Sequence, residues 1–381
     1  MLTLQTTLKK TPCDWEGQLA ALATPQPALV LVFGAPAFFR NPAFGATLAR
    51  AFPGAAIAGC STAGEISTAG TQEGNCIVTA LSFDHATVSA VATDLADMAD
   101  SRAAGRRLAS LLGGNGLRAV MVFGQGVRIN GSALVDGMTD ILGGDIPITG
   151  GLAGDEGAFS RTWTLGPGGV SERAIVALGF RGERLEFGHG SFGGWSPFGP
   201  ARRVTRCDGN ILHELDGESA LAIYRRYLGD FAEGLPASGL LFPFAILGED
   251  QAVTGLIRTI LGIDEASGSL ILAGEIEPGG YLRLMHASID SLVNGAETAA
   301  ESVLRMCGEP SAGLAILISC IGRKLVMGDR TDDEVEAVAS VLGRGATLAG
   351  FYSNGEISPL LPGVGCKLHN QTMTITWLSE R

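Results

Sequence analysis

The chain has 381 residues, enough for two domains and a large core. Hydrophobic residues make up 46% and charged residues 17%, which excludes a disordered chain. The formal net charge of −12, with no basic block, argues against nucleic acid or an anionic membrane surface as the main partner.

The segment Met1–Trp15 is polar and has no apolar core of signal-peptide length behind it. Apolar runs such as Ala28–Phe39 fall short of the roughly 20 residues needed to span a bilayer. These features predict a cytoplasmic protein with no membrane insertion. The seven cysteines, at 13, 60, 76, 207, 307, 320 and 366, are widely spaced and contain no Cys-x-x-Cys. That pattern predicts reduced thiols, not a disulfide framework or a zinc site.

In chain order, residues 1–27 read as an irregular N-terminal arm. Ala28–Phe33 reads as a buried strand because it is unbroken and β-branched. Asn41-Pro42 offers a helix cap with proline at the first helical position, and Phe44, Leu48 and Phe52 then share a face. Ala55–Ala58 leads into the polar loop Gly59-Cys-Ser-Thr-Ala-Gly-Glu-Ile66. The same strand–helix–strand unit recurs twice. One copy has strand Ala119–Phe123, a helix capped by Ser132, and the loop from Gly150 to Asp155. The other has strand Leu314–Ile318, a capping box at Thr331-Asp-Asp-Glu334, and a second polar loop, Gly350-Phe-Tyr-Ser-Asn-Gly-Glu-Ile357.

Between the copies, Cys76–Phe83 with Thr87–Thr93 reads as a hairpin around Asp84-His85. Arg173–Phe180 with Arg184–Gly188 reads as a second, and Leu270–Glu275 with Tyr281–Met285 as a third. Helices are expected near Asp100–Leu112, Glu218–Leu228 and Ser288–Met306. The expected fold is α/β, with internally duplicated strand–helix–strand plus hairpin units forming mixed sheets in two domains. A boundary near Gly229–Pro236 divides residues 28–229 from residues 230–381.

These stretches resemble the FIST family, whose members carry an N-terminal and a C-terminal FIST domain. The resemblance runs through Gly59–Ile66, Ile148–Asp155, Gly194-Trp-Ser-Pro-Phe-Gly199, Glu214-Leu-Asp-Gly217 and Leu235-Pro-Ala-Ser-Gly-Leu-Leu-Phe-Pro243. It continues through Ser319-Cys-Ile-Gly-Arg323, Gly350–Pro359 and Leu368-His-Asn-Gln-Thr372, in family order. It implies a sensory input module that binds a small ligand and passes its signal by contact to a partner such as a histidine kinase. Two of the stretches, Gly194–Gly199 and Leu235–Pro243, look close to the nitric-oxide-sensing NosP branch, which implies haem b as a cofactor.

The residues themselves offer three chemistries. In the two polar loops Cys60, Ser61, Thr62, Glu65, Tyr352, Ser353, Asn354 and Glu356 form the expected ligand-binding set, because sites favour convergent polar groups at strand ends. The bland alternative is that these groups make turns and cap neighbouring amides. For haem, His189 among Phe187, Phe192, Trp195 and small residues is the first axial candidate, with His369 and His286 as runners-up. His85 and His213 read as turn and surface residues. A hydrolase built on Cys60 or Ser61 lacks the Gly-x-Ser-x-Gly pattern and any evident histidine partner. No metal-hydrolase or Walker pattern occurs. The sequence therefore reads as a non-enzymatic sensor for haem with nitric oxide, or alternatively for a small polar metabolite such as an amino acid.

Overall fold

Each strand–helix–strand unit forms a parallel pair, because the helix between its strands requires a crossover. The computed structural model describes residues 1–10, 14–308, 312–359 and 365–381. In it Leu29–Gly34 pairs with Ala56–Ser61, Leu117–Gly124 with Ile148–Leu152, and Gly313–Cys320 with Ala346–Ser353. Each pair seeds a six-stranded mixed sheet. The inner faces of the three sheets meet at Phe33, Phe123 and Phe351, whose ring centroids lie 4.8 to 6.4 Å apart. Helices cover each outer face. Pro42–Ala51, Gly131–Leu142 and Thr331–Leu342 lie there beside Trp15–Ala20, Ser101–Leu112 and Ile289–Cys307, respectively.

The sheets are interlocked. The polar segment after each parallel pair leaves its own sheet and joins a neighbour. Glu65–Ser67 pairs with Ala346–Ser353, Thr164–Gly166 with Ala56–Ser61, and Gly355–Pro359 with Ile148–Leu152. One register position makes this close approach possible. Gly59, Gly150 and Gly350 face Val32, Val122 and Leu317 across the three pairs, and a Cβ on any of them would sit 1.8 to 1.9 Å from that partner's carbonyl oxygen.

The expected α/β architecture of mixed sheets is what the chain forms, but several local expectations change. The first two hairpins are not hairpins. Cys76–Ser82 pairs with Leu29–Gly34 and Leu2–Leu8, whereas Thr87–Asp94 pairs with Ala174–Arg181 in another sheet. Likewise Ala174–Arg181 and Leu185–Phe192 lie in different sheets. Alternation marks a strand but not its partner, and the slots beside Cys76–Ser82 are already filled. Residues 1–27 are not an irregular arm throughout, since Leu2–Leu8 is one of those fillers. Ser132 does not cap its helix; Asn130 does, accepting from the Ala133 amide at 3.0 Å. The capping box at Thr331–Glu334 is absent, because Glu334 is drawn into a buried ion pair with Arg323.

The third expected hairpin is not one either, since Ser269–Leu272 pairs with Ile211–Leu215 and Ile260–Asp264, whereas Tyr281–His286 pairs with Ser196–Asp208 and Phe244–Leu247. Both strands belong to an insertion at residues 193–288, between Leu185–Phe192 and the helix Ile289–Cys307. It has its own antiparallel sheet and its own core around Leu212, Tyr224, Phe244 and Leu284. The expected boundary near residue 229 falls inside it, at short 3-10 turns.

Candidate functional site

The insertion sits over the strand ends of the three-sheet body and encloses a cavity of about 1020 Å³ with them. From the body come the loop Gly126–Gly131, the residues Glu156 and Phe159, the start of the helix Ile321–Met327, and Asn354. From the insertion come the turn around Pro236–Leu241, then Ile260 and Leu261, and the loop Leu272–Glu275. The walls are mainly apolar with a few polar groups, as ligand cavities usually are, and the volume suits a metabolite-sized ligand.

The polar groups have defined partners. Lys324 donates to the Ala63 carbonyl at 2.7 Å, pairs with Glu73 at 2.6 Å, and lies 5.5 Å from the Tyr352 ring centroid. Asn130 donates to Glu275 at 2.6 Å, a bond that ties body to insertion across the cavity wall. Asn354 donates to the Gly126 carbonyl at 3.2 Å, while its side-chain oxygen is buried with no partner. An unpaired buried acceptor in a cavity wall favours a ligand donor there. Arg128 is exposed at the cavity and makes no ion pair among the described residues. Arg128, Glu156 and Phe159 hold φ of 59°, 59° and 49°, a left-handed backbone that non-glycine residues adopt at a cost.

Of the eight residues expected in the ligand set, only Asn354 lines this cavity. The other seven lie in the interior. Ser61 donates to the Gly154 carbonyl at 2.7 Å and accepts from the Trp163 amide. Thr62 donates to Glu65 at 2.5 Å, and Ser353 donates to Glu356 at 2.6 Å. The second oxygen of each carboxyl is bound by a backbone amide, Asn75 for Glu65 and Thr372 for Glu356. Tyr352 donates to Glu334 at 2.8 Å. The two loops do correspond, and their shared device is a hydroxyl three residues before a buried carboxyl. Apart from Asn354, they do not form the cavity wall. Cys60 is fully buried and its thiol is pushed well up by desolvation, so neither it nor Ser61 meets a substrate in this conformation.

Burial also pushes Glu65 and Glu356 up to about 7, with the hydroxyl and amide donors opposing the shift. The folded chain therefore keeps protons that the unfolded chain has released above about 4.5. Stability should be greatest below that pH and fall as pH rises through about 7, by roughly 3 kcal/mol per carboxyl at ~1.4 kcal/mol per unit. Urea denaturation from pH 5 to 8 measures this slope. Glu65→Gln and Glu356→Gln should each flatten it, and an unchanged slope in both variants would contradict the assignment.

No histidine lines the cavity. His189 lies in the strand Leu185–Phe192, paired with Thr376, and is depressed to about 4 by desolvation. His369 is fully buried, with Nε2 against the Ser358 carbonyl at 2.9 Å, and burial likewise lowers it to about 4. His286 is exposed at a strand end beside Phe198. A haem in the cavity would find no imidazole there, so this donor set does not fit histidine-ligated haem. Among the described residues no group of three or more His, Cys, Asp or Glu could hold a metal ion. The six described cysteines are free thiols; Cys13 lies outside the described residues. No described helix is long and apolar enough to cross a membrane.

The wall residues that the sequence reading missed are Gly126–Gly131, Lys324, Leu325 and the insertion loop Leu272–Glu275. The segment from Pro236 to Leu241 lies in a stretch that carries the family resemblance, where the sequence assigns no ligand contact.

The FIST N domain profile matches residues 28–218, and the FIST C domain profile matches residues 220–359. An uncharacterized Mycobacterium tuberculosis protein, Rv0628c, is 30% identical over 200 residues, covering 50% of this chain and 51% of the relative. The uncharacterized Methanocaldococcus jannaschii protein MJ1623 is 37% identical over 100 residues, covering 25% and 18%. The chain spans about half the length of the first of these relatives, and less of the second. A solved cyanuric acid hydrolase from A. caulinodans aligns over 100% of both chains at a TM-score of 0.41 and 11% identity, a likeness that carries no functional argument.

Proposed function

Because the chain belongs to the FIST family, whose domains are small-ligand sensors of signal transduction, we propose that it senses a ligand held in the cavity between the strand ends and the insertion. The carrying observation is that body and insertion each supply part of one cavity wall. A ligand touching both sides favours one placement of the insertion over others. It shifts that equilibrium only by its differential affinity for the two placements. The changed outer surface would then be read by a separate partner, a histidine kinase in the reading from the resemblance. In this proposal the chain is a cytoplasmic binding protein and not an enzyme.

The cavity chemistry favours the metabolite version over haem. The ligand would have a largely apolar body, a hydrogen-bond donor for the free Asn354 oxygen, and an anionic group near Lys324 or Arg128. A ligand that binds only the folded state stabilises it, by about 2.7 kcal/mol at a hundred times its Kd. A metabolite library, with hemin as a separate arm, should yield compounds that raise Tm. Leu325→Trp changes a half-exposed wall residue, and it should abolish the shift while leaving the unliganded Tm within a few degrees. A hit whose shift survives both Leu325→Trp and Asn354→Ala would place the ligand elsewhere. A Soret band lost on His189→Ala would instead restore the haem reading.

A further inference from the structure

A second cavity, of about 730 Å³, shares only Glu275 and Leu368 with the first. Into its wall comes Arg258, the last residue of the strand Val253–Arg258, only 5% exposed. Its Nε donates to the Glu275 carbonyl and its Nη1 to the Ile257 carbonyl, each at 3.1 Å. Its Nη2 has no hydrogen bond among the described residues, and no carboxylate lies within ion-pair distance. Gly274 leaves room for this guanidinium, since a Cβ there would lie 2.8 Å from Nε.

A guanidinium taken out of water normally brings a counterion with it. The other buried arginine does so: Arg323 pairs with Glu334 at 2.7 Å, both side chains fully buried. Arg258 has no counterion in contact among the described residues, Glu275 attracting it only from further off, and burial lowers it to about 10. An anion entering the cavity would supply the missing partner.

The rest of the wall narrows the class of anion. Val204, Ile246, Leu256 and Leu282 are apolar. Asp136, Glu249, Glu275 and Glu277 also border the cavity, and the only other cation there, Lys367, already faces Asp136 at 3.8 Å. Those carboxylates repel a dianion such as phosphate more than a single carboxylate. We propose that the second cavity binds a small aliphatic monocarboxylate, its carboxylate accepting from Arg258 Nη2 and its hydrocarbon against Val204, Ile246, Leu256 and Leu282. This site is separate from the sensor cavity and does not depend on that reading.

Butyrate and hexanoate at constant ionic strength test it, with inorganic phosphate and 1-butanol as controls, by thermal unfolding and calorimetry of the whole chain. The carboxylates should raise Tm saturably, hexanoate more than butyrate, and the controls should not. Arg258→Met should weaken carboxylate binding about tenfold or more, the worth of a charge-assisted hydrogen bond. Leu256→Trp, at a half-buried wall position, should weaken it too and keeps the test decisive if Arg258→Met does not fold. Absence of any saturable response overturns the proposal. So does 1-butanol matching butyrate, or an undiminished response in either folded variant.

Discussion

Alanine at Gly59, Gly150 or Gly350 is expected to leave no soluble folded protein. At each position the new Cβ would lie 1.8 to 1.9 Å from a backbone carbonyl oxygen of the paired strand. That oxygen belongs to Val32, Val122 or Leu317, in the middle of a parallel ladder, so no rotamer change relieves the contact. Either the ladder opens or the strand moves. Gly150 carries a further penalty, since its φ of 137° lies where side chains are rarely tolerated. Overpacking usually costs about 1–3 kcal/mol when side chains can yield, and a backbone clash should exceed that. The control is Gly144→Ala, where a Cβ would meet nothing within 4 Å. Soluble yield and far-UV circular dichroism decide it, and a folded Gly59→Ala protein would show that the strand spacing is softer than it looks.

These glycines also show what a linear reading can reach. Apolar runs, proline at the first helix start and a glycine in each second strand are local signals, and all three units were legible from them. Strand partners were not. Thr87–Asp94 alternates as a hairpin arm should, yet its ladder is with Ala174–Arg181, some eighty residues onward. The loops at Gly59–Ile66 and Gly350–Ile357 were recognisable as copies, but not as inward-facing ones. Thr62 with Glu65, and Ser353 with Glu356, satisfy each other over three residues, and a hydroxyl–carboxyl pair reads the same whether it waits for a ligand or for its neighbour. The cavity was the least legible part. Its wall comes from stretches near residues 126–131, 236–241, 272–275 and 321–325, joined only by the way the insertion folds over the strand ends. No periodicity or motif spacing records that meeting. His189 likewise stands among aromatic neighbours in sequence, but in space it lines neither of the two cavities described above.

Removing Arg323 should be the most damaging single side-chain truncation, because it joins the helix at the cavity wall to both ends of the insertion. Its Nη1 donates to the Gly193 carbonyl at 2.5 Å and its Nη2 to the Leu292 carbonyl at 2.9 Å. The first opens the insertion, and the second lies in the helix Ile289–Cys307 that follows it. The same guanidinium holds Glu334, whose other oxygen accepts from Ser319 and Tyr352 at 2.9 and 2.8 Å. Arg323→Met would leave a fully buried carboxylate without its cation, at a cost of about 3–5 kcal/mol for the broken pair alone. Glu334→Leu should also be costly, because it leaves the fully buried Arg323 guanidinium without its counterion. The double variant Arg323→Met/Glu334→Leu should recover part of the single-variant loss, since it buries no charge at all. Urea denaturation of the wild type, Arg323→Met, Glu334→Leu and the double variant gives the coupling energy, and a loss below about 1 kcal/mol in Arg323→Met, the level of an exposed pair, would exclude the proposed role. Ile321, Lys324 and Leu325 flank Arg323 on one short helix and line the cavity. A variant that stays folded should therefore lose ligand-induced stabilisation as well. A folded Arg323 variant with normal ligand response would mean that the insertion is held over the cavity by the Asn130–Glu275 bond and apolar packing instead.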